Sequence, residues 1–174
     1  MQSKRVIAHF SEAISDADVP HNPFHMLDRA LMLSAFAIRR MVEKRLITDQ
    51  LADAKIAVRT FLSRNDGGFR QPYIGEAGGD IHTNYSIERP ESKDLKIGEF
   101  ANEIIHASQL MIVQDEDGVE DGLAIASDWH LKNRLLHVTP NEFSKVVDLV
   151  LNDFVRMQSE AWDPETGKVT ATRL

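Results

Sequence analysis

The chain has 174 residues and a formal net charge of −7, from 20 Lys and Arg against 27 Asp and Glu. With no cysteine, disulfides, cysteine-ligated zinc and thiol nucleophiles are excluded. The acidic balance argues against a broad electrostatic grip on nucleic acid, and a 43% apolar fraction suits one continuous core in a single domain over 1–174.

The start, MQSKRVIAHFSEA, is basic, but His9, Ser11 and Glu12 break its apolar stretch too early for a signal-peptide core. Ala30 to Ile38, the longest largely apolar run, falls short of the roughly 18–20 residues that span a bilayer. The expectation is a cytoplasmic protein with no membrane segment.

Residues 4–15 carry Val6, Ile7, Phe10, Ala13 and Ile14 at helix-like spacing. Asn22 and Pro23 suit an N-cap and a first helical position. The helix they open runs to about Leu46 and is apolar on nearly all sides, so it is expected at the centre of the molecule. Arg39, Arg40, Lys44 and Arg45 crowd its end, where the helix dipole favours cations. A second helix, capped by Thr48 or Asp49, is expected to reach Arg64, with Leu51, Ala54, Val58, Phe61 and Leu62 on one face.

The segment 65–92 holds five of the nine glycines and two of the six prolines. A connection of that length is functional or mobile, and residues 65–80 are expected to be its most mobile part. Its glycines lack the Gly-Lys-Ser/Thr of a phosphate loop. His82 and Tyr85 are its candidate ligand-binding residues.

A third helix is expected from Ser92 or Asp94 to about His106–Ser108, with continuation to Val113 as the alternative. QLMIVQ, GLAIAS and RLLHV then read as a three-stranded meander inserted over 109–138, with His137 on a solvated strand face. The acidic DEDGVEDG reads as a solvated hairpin turn, its glycine being too early for an EF-hand loop. Thr139, Pro140 and Glu142 form a capping box opening a last helix to about Glu160, followed by a short tail. The fold class expected is therefore α+β, mainly α: a helical bundle with a small antiparallel meander before the last long helix.

Two patterns invite chemistry. Glu103 and His106, three apart on one helix face, make half of a carboxylate–histidine metal site. The other half is absent, since the nearest counterpart is His25 and Asp28, so no metal and no cofactor are expected. Ser127, Asp128 and His130 are close in sequence but lack a nucleophile elbow. Asn102 and His106 share a face, and His106 falls in the last helical turn, where the dipole favours imidazolium. The bland reading is that this pair ties the helix end to a neighbouring backbone.

AFAIRRMVEKRLIT (35–48) resembles the early helix of HEPN-type proteins, and ANEIIHAS (101–108) resembles their later motif, in which Arg-Asn leads to a histidine. The resemblance implies a helical fold, a dimer cleft and metal-independent RNA cleavage, with Asn102 and His106 matching the motif's Asn and His. Ala101 stands where the motif has arginine. The leading expectation is a non-catalytic accessory protein, homodimeric, binding a protein or RNA partner. A HEPN-like ribonuclease using His106 and a small-ligand protein using the 65–92 loop are the alternatives.

Overall fold

The computed structural model describes residues 7–8, 23–64, 84–114, 117 and 119–174, with side chains from residue 27 onward. Its centre is a sheet, not a helical bundle. In chain order the elements are β1 (Ile7–Ala8), α1 (Pro23–Glu43), α2 (Asp49–Asp53), β2 (Lys55–Leu62), β3 (Glu91–Lys96) and α3 (Ile97–Ile105). There follow β4 (Ala107–Gln114), β5 (Glu120–Ser127), β6 (Arg134–Val138), α4 (Pro140–Leu151), β7 (Gln158–Trp162) and β8 (Val169–Arg173). Six strands form one sheet in the order β1-β4-β5-β6-β2-β3, antiparallel throughout, and β7–β8 form a separate hairpin.

The correction begins at Lys55. The expected second helix stops after Asp53, and Ile56, Val58 and Thr60 then point to one side of a strand. Alternation of β-branched residues suits a pleated surface better than a helix. The strand is fixed by pairing on both edges, Ile56 opposite Leu95 and Thr60 opposite Leu136. Glu91–Lys96, expected as the start of a helix, is instead an edge strand. Only Leu95 of it is buried, and its Glu, Lys and Asp side chains discourage pairing with another chain. The meander of β4, β5 and β6 is present, with Leu110 opposite Ile125 and Ile125 opposite Leu136, but it forms the middle of the sheet rather than an insertion.

Both faces of the sheet are apolar. On one, Ile56, Val58, Ile125, Leu136 and Val138 meet Leu31 and Ala35 of α1, Phe100, Ala101 and Ile104 of α3, and Val146 of α4. On the other lie Phe61, Met111, Val113, Ala124, Ala126 and Leu135, joined by Tyr85 and Leu131. Each large aliphatic buried here contributes about 1.5–3 kcal/mol. At one end, Ile47, Leu51 and Ile97 close a smaller cluster under α2.

α1 is not the enveloped helix that its composition suggests. Leu31 and Ala35 are buried, yet Leu33 and Phe36 are 62% and 52% exposed, and Leu27, Ala30 and Ala37 are exposed too. The last long helix opens at Pro140, and the Thr139 hydroxyl accepts from the Glu142 amide at 3.3 Å, but the expected capping box is only half made, since the Glu142 carboxylate pairs with Lys145. It ends at Leu151, well before Glu160. There the Asn152 side chain bonds back to the Asp148 carbonyl at 2.8 Å, and the Asp153 carboxylate accepts from the Thr48 amide at 2.9 Å. Once Asp153 is drawn to the start of α2, the helix cannot continue. The expected tail is the β7–β8 hairpin.

Ile7–Ala8 pair with β4 rather than forming helix; the remainder of 4–15 lies outside the described residues. So do residues 65–83, with the expected mobile stretch and His82, and most of the acidic turn before Val119.

Candidate functional site

α3 answers for Glu103 and His106 separately, since each side chain meets a different set of neighbours. The helix ends at His106, whose backbone φ of −104° and ψ of 19° leave the helical register. The His106 carbonyl accepts from the Asp128 amide at 2.8 Å, which fastens the helix end to the turn between β5 and β6. In that turn the Ser127 carbonyl accepts from His130 and Leu131, and the His130 carbonyl from Arg134. These local bonds swing Ser127, His130 and Arg134 toward α3.

Glu103 receives them. It is 6% exposed, and its Oε1 lies 2.6 Å from an Arg134 terminal nitrogen and 3.0 Å from His130 Nδ1. Burial pushes the Glu103 carboxyl up; hydrogen bonding from Ser127 and Arg134 and the positive charge of His130 and Arg134 outweigh it, so the carboxyl stays below its ordinary range. An ionised Glu103 makes His130 Nδ1 a donor and leaves Nε2 turned away from the carboxylate. The Ser127 hydroxyl, fully buried, also lies 3.1 Å from Nδ1. A nucleophilic triad needs acid and hydroxyl on opposite ring nitrogens. Here both crowd one nitrogen, so Ser127, His130 and Glu103 form a structural knot and not a triad.

His106 faces outward from the same helix end. Its ring lies against Trp129 with centroids 4.2 Å apart, and Arg39 of α1 approaches Nε2 to 3.5 Å while holding Glu43 at 2.7 Å. Asn102, four residues back, supplies the carbonyl that the His106 amide uses, at 3.1 Å. Its side-chain oxygen is buried with no partner among the described residues. The helix end is thus tied down through the His106 backbone and the stack of its ring on Trp129, while the Asn102 side-chain oxygen takes no part.

Tyr85, the other described candidate, is 1% exposed and donates its hydroxyl to the Leu131 carbonyl at 2.6 Å. Burial pushes its phenol far above the usual range. It holds the β5–β6 turn against the lower face of the sheet. Among the described residues no three His, Asp or Glu side chains gather as a metal ion requires, and no helix is long and apolar enough to cross a membrane. Trp129, His130, Arg134 and Arg39 were not singled out as a group with α3 from the sequence. The available signal was Glu103 itself, a carboxylate on an apolar helix face that needs a cation brought to it.

His137 also departs from expectation. It is 3% exposed, not on a solvated face, and its Nε2 lies 3.0 Å from the Asp121 carbonyl. With Nε2 donating, Nδ1 is left without a partner among the described residues. Burial lowers its pKa; Asp121 opposes this and Arg59 adds to it. A histidine depressed in the folded state favours unfolding as it gains its proton, so stability is complete above its unfolded value and falls as pH drops through the window beneath about 6.5. Thermal melts between pH 7.5 and 5 should show this loss in the wild type and a flatter profile in His137→Gln. Equal slopes for the two proteins would remove His137 as the cause.

No protein-family model, curated protein or solved structure matches this chain.

Proposed function

We propose that this chain is a non-catalytic binding protein that pairs with a second copy of itself and presents a macromolecular partner with the resulting surface. The observation that carries this reading is the outer face of α1. A helix packed on a sheet is expected to be polar toward solvent. Here Ala30, Leu33, Phe36 and Ala37 are exposed on the side away from Leu31 and Ala35. Alternation of small and large side chains lets one such stripe interdigitate with its own copy across a twofold axis. The buried Glu103 knot supports the same reading, because its Oε1 is engaged by Arg134 and His130 in holding the β5–β6 turn.

Metal-independent RNA cleavage at His106 is the second reading, and one observation favours it. Ala101 leaves the HEPN-like motif without its arginine, but Arg39 stands 3.5 Å from His106 Nε2 from another helix. One preparation separates the two. Under the first reading, light scattering after size exclusion gives twice the chain mass for wild type. Leu33→Glu with Phe36→Glu gives a single chain that still melts cooperatively, at a temperature independent of concentration, whereas the wild-type melt rises with concentration. RNA incubated with either protein in EDTA stays intact. A monomeric wild type would end the dimer proposal. Chelator-resistant cleavage lost in a stably folded His106→Ala variant would put the second reading first.

A further inference from the structure

The C-terminal hairpin leaves the body of the protein in an unusual position. β7 and β8 join no other strand, and Trp162 and Val169 are 67% and 59% exposed. The hairpin is tied down at its far end instead. The Arg173 amide donates to Asp49 Oδ2 at 2.9 Å, and its guanidinium stands 3.8 Å from Asp49 Oδ1. Between hairpin and body opens a cleft of about 470 Å³, walled by aliphatic residues such as Val42, Ile47 and Val169, with the polar side chains of Arg45, Asp49, Thr170 and Arg173.

The charges in this cleft do not balance. Arg173 is 7% exposed, and its Nε has no hydrogen-bond partner among the described residues. A distance of 3.8 Å is an ion pair without a hydrogen bond. Asp49 already serves the Arg173 backbone. Arg45 makes no ion pair among the described residues. Two guanidinium groups therefore face one carboxylate in a recess walled by aliphatic side chains. A buried guanidinium without acceptors is costly, and a planar oxyanion supplies two at once. The volume lies in the range of small-ligand sites.

We infer that this cleft binds a small organic anion, a monocarboxylate with a short apolar body. The carboxylate lies on Arg173 and Arg45, and the hydrocarbon lies against Val42, Ile47, Ala52 and Val169. Phosphate shares the oxyanion chemistry but has nothing to place on the aliphatic wall.

Titration calorimetry of the full chain tests this with hexanoate, its neutral analogue hexanamide and inorganic phosphate. Hexanoate should bind, with hexanamide and phosphate each weaker by about tenfold or more, the scale of one charged hydrogen bond. Arg173→Met should lose about tenfold or more in hexanoate affinity. Arg45→Gly guards against a folding artefact. Arg45 sits at a φ of 53° just past α1, where glycine is the favoured residue, so this variant should bind hexanoate more weakly while melting no lower than wild type. Hexanoate and hexanamide binding alike, phosphate binding as tightly as hexanoate, unchanged affinity in a folded Arg45→Gly, or no heat from hexanoate at millimolar concentration would each overturn the assignment.

Discussion

Gly122→Ala is expected to cost about 4 kcal/mol or more, the largest loss from an added methyl group at any described glycine. Gly122 opens the apolar part of β5 at a φ of +128°, a conformation that side chains rarely adopt. A Cβ there would lie 2.0 Å from the Val138 carbonyl oxygen and 3.0 Å from the Thr139 Cα. Both are backbone atoms, so no rotamer change relieves the clash. Leu123 pairs with Val138, and Thr139 caps α4, so relief would have to move β6 and the start of α4 together. Urea denaturation measures the loss. A variant within 1 kcal/mol of wild type would mean that β5 and β6 do not approach this closely.

The second large effect is expected at the Glu103 knot. Arg134→Met strands a carboxylate that is 6% exposed and should destabilise by about 3–5 kcal/mol at neutral pH. The pH dependence should also weaken. In the wild type the Glu103 pKa is lowered, so its contribution is present above the unfolded value near 4.5 and is lost as pH falls through the lowered one. Without Arg134 only Ser127 and His130 oppose burial, so the carboxyl shifts upward and the variant loses less stability than the wild type as pH falls and Glu103 takes up a proton. Glu103→Leu combined with Arg134→Met should recover most of the loss, because an apolar pair leaves no buried charge behind. A double variant no better than Arg134→Met would show that shape, not charge, sets the cost.

How far the sequence led depended on how local each signal was. The cap at Thr139 and the start of α1 at Pro23 are written in three or four consecutive residues, and both stand; the end of α3 falls at His106, the first residue of the expected 106–108 range. The strands of the meander were legible from short apolar runs between turns. β2 was not, because Ile56, Val58 and Thr60 are compatible with a strand, while Leu51, Ala54, Val58, Phe61 and Leu62 also fit one face of a helix. Partners distant in sequence decide between them. β3 has four charged residues in six, and β7 has three polar residues in five, so neither carried an alternating apolar pattern to read. The site was half legible for the same reason. Helical spacing put Asn102 and His106 together, but Arg134 reaches Glu103 from 31 positions away and Arg39 reaches His106 from 67 positions away.

Strand order also bears on synthesis at the ribosome. β2 emerges early but finds its inner neighbour, β6, only when residues 134–138 have been made, with Arg59 opposite His137 and Leu62 opposite Arg134. Until then a nascent β2–β3 pair shows the apolar side of Ile56 and Val58 to solvent or to a chaperone. Closing so long a loop is slow, although each doubling of its length adds only about 0.6 kcal/mol of entropy. Translation pauses between β3 and β6 should therefore lengthen the interval in which the chain is vulnerable to aggregation, whereas pauses after Val138 should be harmless.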